Sequence, residues 1–232
     1  MGRRVFDRRL ARIKDDVLIL GSMVEEALVA AVDSLKRRDF QVSERIIAAD
    51  REVNGKRFAI EADVLALIAT QQPVACDMRF LAAAIEIVTE LERIGDYAKG
   101  IAKINLLIGA EPLLKPLVDL PQMASEVRGM LRRALEAYIW RDVRLAREIP
   151  DDDDAVDRLY RKIDRDLLEL ILADPSPKTI DRANNLLWAA HNLERAADRV
   201  VNICERVVFT ETGEMVEMNI TDGRFASEPK KH

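Results

Sequence analysis

The chain is poor in everything that breaks helices or staples small folds together. Among 232 residues there are only 9 glycines, 8 prolines and 2 cysteines, and aromatic side chains make up 5%. So few turn formers argue against a β-sandwich or barrel, and 49% hydrophobic content argues against a disordered chain. Cys76 and Cys204 lie far apart in no CxxC pair, which offers neither a zinc framework nor a disulfide scaffold and fits a reducing cytosol. No apolar run approaches the ~18 residues that a membrane-spanning helix needs. The opening arginines are followed by no apolar leader segment, and Phe6 stands where a myristoylation motif needs Ser or Thr.

What the chain does have is charge of both signs, 36 basic and 41 acidic residues with a net charge of −5. A nucleic-acid binder would concentrate basic charge and stacking aromatics, so no nucleic-acid partner is expected. Apolar residues recur at the helical period almost everywhere, as in Phe6, Leu10, Ile13, Val17 and Leu20. The pattern predicts an all-α chain with helices at 6–37, 40–69, 76–108, 117–140, 142–173 and 178–208. Its breaks coincide with Gln72-Pro73, with the stretch from Gly109 to Pro121, and with Asp174-Pro175-Ser176-Pro177. Pro150 should end or kink a short segment, and the run Asp151 to Asp154 favours a new helix N-terminus, where carboxylates meet the positive end of the dipole.

The sequence is duplicated at an offset of about 102–103 residues. Ala31, Leu35 and Asp39 fall on Ala134, Tyr138 and Asp142, and Asp50-Arg-Glu-Val-Asn54 falls on Asp153-Asp-Ala-Val-Asp157. Pro73 falls on Pro175, and Leu91-Glu92-Arg93-x-x-Asp96 on Leu193-Glu194-Arg195-x-x-Asp198. The expected architecture is two tandem, pseudo-symmetric three-helix bundles, 1–109 and 117–209, followed by a polar, mobile tail over 210–232.

Isolated acidic pairs at i,i+4 arise by chance in a chain this acidic. These are repeated in register, and each set is centred on a proline turn, near residue 73 or 175. In an antiparallel hairpin, Asp50 and Asn54 stand level with Glu92 and Asp96, and Asp153 and Asp157 with Glu194 and Asp198, roughly 28 Å from the turn. Such clusters need positive charge. One source is arginine, with Arg93, Arg195, Arg51 and Arg199 nearby in sequence. The other is a hard cation with oxygen ligands, Mg²⁺, Ca²⁺, Mn²⁺ or iron, with Zn²⁺ the weaker choice for want of sulfur and imidazole. His191 has Thr89 as its counterpart and reads as a helix-face histidine, not a ligand. Met23, Met78, Met123 and Met130 read as core filler, and Arg3, Arg4, Arg8, Arg9 and Arg12 as the solvated face of the first helix. No phosphate-binding glycine loop, nucleophile elbow or repeated Cys–His or Ser–His pair occurs, so no catalytic site is expected.

The segments Asp50-x-x-Val-Asn54, Gln72-Pro-Val-Ala-Cys-Asp-Met-Arg79, Glu90-Leu-Glu-Arg-Ile-Gly-Asp96 and Leu193-Glu-Arg-Ala-Ala-Asp198 resemble the PhoU family of phosphate-transport regulators. The resemblance runs from Phe6 to about Met218 and includes the duplication. It implies a cytoplasmic, often dimeric, non-enzymatic protein that represses phosphate uptake and the phosphate-starvation response when phosphate is abundant. Implied partners are the ATPase subunit of the phosphate ABC transporter and a sensor histidine kinase, with membrane contact only through them. It also implies multinuclear metal clusters, iron first, at Asp50, Asn54, Glu92 and Asp96 and at Asp153, Asp157, Glu194 and Asp198. Asn54 departs from that acidic pattern, which favours the second cluster. A metal-dependent enzyme acting on phosphate esters or in oxidative chemistry through the same carboxylates is the alternative.

Overall fold

A computed structural model describes residues 2–218, and all secondary structure among them is helical. The first unit comprises α1 (Gly2–Arg37), α2 (Phe40–Gln71) and α3 (Ala75–Ile108). In the second, α4 (Asp119–Trp140) leads into α5 (Val143–Glu148), a 3-10 turn (Ile149–Asp152), α6 (Asp153–Ala173) and α7 (Pro177–Thr212). The helix expected over 142–173 is therefore broken. Pro150 lacks an amide donor and clashes with a continuing helix, whereas its counterpart in α2 is Ile47 and that helix runs on.

The same local device turns the chain after the first helix of each unit. Arg38 (φ 61°) and Arg141 (φ 54°) take the left-handed conformation. The following Asp39 and Asp142 cap the next helix, their carboxylates accepting from the backbone N–H of Val42 and Leu145. Around Arg38 the first unit adds a buried polar knot. The Asn105 amide donates to the carbonyls of Ser34 and Asp39 and to Ser43 Oγ, and its own Oδ1 accepts from Arg38. The counterparts in the second unit, Ala137, Ala146 and Val207, are apolar.

The core is continuous from one unit to the other, with α3 against α7 its most extensive seam. These two helices run antiparallel, so Arg79 Nε donates to the Thr210 carbonyl, Arg206 pairs with Glu86, and Arg199 and Asn202 both reach Glu90. Gly100 lets them approach, because a Cβ there would come 3.2 Å from the Asn192 amide. Across the other contact between units, α1 against α4, a Cβ on Gly21 would fall 2.3 Å from a Leu135 methyl.

Two expectations need correction. Met78 is 38% exposed, because it lies in the first turn of α3, while Met123 and Met130 are core residues as expected. The polar tail was expected from residue 210, yet α7 runs to Thr212, and the next residues fold back on it. Val216 and Met218 pack against the core, and the Met218 amide donates to Glu205. The rest of the expected tail, 219–232, lies outside the described residues.

Candidate functional site

In the first unit, α2 and α3 bring Asp50, Asn54, Glu92 and Asp96 to one neighbourhood, as an antiparallel hairpin requires. The cations that answer them are not the arginines nearest in sequence. Lys99 Nζ lies 2.6 Å from Asp50 Oδ2 and 3.3 Å from Asp96 Oδ1. Asn54 donates its amide to Asp50 Oδ2 at 3.2 Å, and Arg57 Nη1 stands 3.6 Å from Glu92. Burial first, and then the charge of Asp96, raise the Glu92 carboxyl above its ordinary range, partly opposed by Arg57. Arg93 instead pairs with Glu90, and Arg199 crosses the seam to the same Glu90. The signal that identifies Lys99 is its position three residues after Asp96, the residue level with Asp50 about the turn, which puts it on the same face of α3.

The second unit gathers more acid and less base. Asn54 becomes Asp157, Lys99 becomes the fully buried Val201, and Arg57 becomes Tyr160. Burial, and then the charges of Asp198, Asp157, Glu194 and Asp154, push the Asp153 carboxyl up to about 7. Arg195 pairs with Asp198 at 3.0 Å and also bears on Glu194. Glu194 is 4% exposed, and His191 Nδ1 stands 3.3 Å from it with its ring edge-on to Trp188.

Whether these residues suit a metal can be judged from the donor atoms. Asp50 Oδ1 and Asp153 Oδ1, at matching positions of the duplication, are buried and accept no hydrogen bond. Among the described residues, no three His, Cys, Asp or Glu side chains are drawn together tightly enough to hold an ion. In the first cluster the Lys99 ammonium already supplies a positive charge. The second has four carboxylates, no lysine and a hard-oxygen donor set, so it fits a cation better.

The model of the PhoU domain matches this chain twice, over residues 17–104 and 120–207, the two units just described. The chain belongs to the PhoU family. A phosphate-specific transport system accessory protein PhoU homolog from Clostridium acetobutylicum is 34% identical over 94% of this chain and all of its own length. The homolog from Aquifex aeolicus is 33% identical, covering 90% of this chain and 94% of its own. Among solved structures, the phosphate transport system regulatory protein PhoU from Streptococcus pneumoniae superposes with a TM-score of 0.84 at 32% identity. That match covers 91% of this chain and 99% of the other. PhoU from Pseudomonas aeruginosa also gives 0.84, at 30% identity over 90% and 100% of the two chains. The family was legible in the duplicated motifs. Lys99 and Arg57, which set the two clusters of this PhoU-family chain apart, were not.

Proposed function

We propose that this PhoU-family chain is a non-enzymatic regulator of phosphate uptake. It holds down the high-affinity phosphate ABC transporter and the phosphate-starvation response when phosphate is abundant. It acts in the cytoplasm as a homodimer, through the transporter's ATPase subunit and the sensor histidine kinase. The observation that carries this reading is likeness over 90% or more of the chain, in both units, to proteins named for accessory roles in phosphate transport. Among the described residues no helix is long and apolar enough to cross a membrane, which agrees with membrane contact through partners.

The second cluster is the metal site in this proposal, with Asp153, Asp157, Glu194 and Asp198 as oxygen ligands and iron as the first candidate. A bound cation there would supply positive charge to carboxylates that otherwise repel one another. The enzyme reading is weaker on a specific observation. The first cluster is neutralised by its own Lys99, and His191 at the second is turned to Glu194 and Trp188. Asp153, the carboxyl pushed up to about 7, is itself a ligand in this proposal, so neither cluster adds a separate general acid or base beside the cation site.

The test combines a reporter with binding. Deleting the gene should leave an alkaline phosphatase reporter of the starvation response switched on in phosphate-rich medium. Glu194→Ala/Asp198→Ala should weaken that repression, or capture of the ATPase subunit, and lower the iron found by elemental analysis. A deletion strain that still represses, with no contact to the ATPase or the kinase, would refute the regulator reading. Turnover of phosphate esters by the metal-loaded protein would favour the enzyme.

A further inference from the structure

Between α1 and α2 the first unit has an open groove of about 430 Å³ with an apolar floor. Met23, Ala27 and Ala30 line it from α1, with Ile46, Ala49 and Val53 from α2. Its charged lining is unbalanced, with Glu26, Asp50 and Glu52 against Arg45 alone. The Asp50 side chain is only 8% exposed, and its Oδ1 accepts no hydrogen bond.

The duplication shows that the fold does not require this space. In the second unit Met130 takes the place of Ala27, while Arg133 and Asp152 take those of Ala30 and Ala49. Met130 is 1% exposed, and Arg133 and Asp152 pair with each other. The second unit therefore stands with these positions filled, although Asp152 lies in the 3-10 turn that breaks its second helix. In the first unit three alanines at these positions leave the groove open.

The groove continues along α1. A second cavity of about 650 Å³ shares Glu26 and Ala30 and extends to Lys36 and Arg37, with Pro121 and Ala124 from the α4 side. There the charges answer one another, Arg132 with Glu25 and Arg37 with Asp33. The uncompensated acid is thus Glu26 of α1 and Glu52 of α2, because Lys99 already answers Asp50. From Met23 to Arg37 the open face of α1 is roughly 20 Å long, about four helical turns.

We propose that this groove docks a basic amphipathic helix of a partner protein. The apolar face of that helix enters between α1 and α2, and its lysine or arginine side chains reach Asp50, Glu26 and Glu52. This rests on the regulator reading, since it assigns the docking face of such a regulator. Small side chains let the incoming helix approach closely, and the buried Asp50 oxygen gains a donor it now lacks.

The test uses two probes on the full chain. One is the purified ATPase subunit of the phosphate transporter from the same genome. The other is a synthetic helical peptide with leucine on one face and arginine on the other. The groove is filled in two ways, by Ala27→Met, and by Ala30→Arg/Ala49→Asp, the pair the second unit already carries. Methyl NMR of the unaltered protein should show peptide-induced shifts at Ala27, Ala30 and Ala49. Both filled variants should bind each probe roughly tenfold more weakly, or worse, while keeping their helix content. Equal binding by filled and unfilled protein overturns the proposal but leaves the regulator reading intact. Peptide binding in the groove without any ATPase binding keeps the groove and removes that partner. No binding of either probe overturns the groove, as does a change of self-association in the variants, which would make it an interface between copies.

Discussion

Lys99 Nζ lies 2.6 Å from Asp50 Oδ2, so the first unit carries its own cation inside its acidic cluster. The corresponding place in the second unit is Val201. Replacing Lys99 by Met should leave Asp50 buried without its counter-charge and lower stability by about 2 kcal/mol. It should also make the first cluster resemble the second. Thermal melts with and without added divalent cation check this, and the variant should gain a cation-dependent rise in Tm larger than that of the parent protein.

The raised pKa of Asp153 sets a pH window. A carboxyl held near 7 when folded, but titrating near 4 when unfolded, binds its proton more tightly in the native state. Its contribution to stability is therefore full below about pH 4 and is lost as pH rises towards 7. Partial solvent exposure screens the effect, which leaves a loss on the order of 1–2 kcal/mol. Asp153→Asn should flatten this part of the stability–pH curve in chelator, as measured by urea unfolding. Added cation should stabilise the parent protein above pH 7 and the variant less.

The Tyr138 hydroxyl is buried and finds no hydrogen-bond partner, although its ring stacks on Phe80 at 4.7 Å between centroids. Burial raises its pKa, so the phenol stays neutral. Tyr138→Phe keeps the stack and removes the orphaned oxygen. Stability should be unchanged or rise by up to about 1 kcal/mol, measured by chemical denaturation. A loss of more than that would reveal a partner for the hydroxyl.

Two helix glycines should respond in opposite ways. Gly129 sits in α4 with nothing within 4 Å of where a Cβ would stand, so Gly129→Ala should stabilise by about 0.5–1 kcal/mol through helix propensity alone. At Gly21 the new methyl would collide with Leu135, and overpacking outweighs the same gain in propensity. Gly21→Ala should therefore destabilise by about 1 kcal/mol, and the two Tm shifts should differ in sign.

Much of the fold was legible along the chain. The apolar period marked the helices, Asp39 and Asp142 fell in register in the duplication, and Pro150 with the aspartates after it marked the break that starts α6 at Asp153. These features act within one or two turns of backbone, so neighbouring residues suffice to read them. Burial was less legible at helix ends. Met78 carries the same side chain as Met123, but the first turn of α3 leaves it at the surface.

What the sequence by itself determined was the all-helical duplicated architecture and the level at which the two acidic motifs stand, because both follow from helical rise, spacing and turn chemistry. Which charge answers which was decided only by the tertiary structure. Arg93 and Arg199, close in sequence to the acidic motifs, are both taken by Glu90, while Lys99 and Arg57 reach Asp50 and Glu92 across the α2–α3 hairpin. Coulomb energy depends on distance through space and on burial, not on separation along the chain, and both are set by how the helices pack. Packing shows that Lys99 and Arg57 are the residues that matter, and their replacement by Val201 and Tyr160 leaves the second cluster the more acidic one.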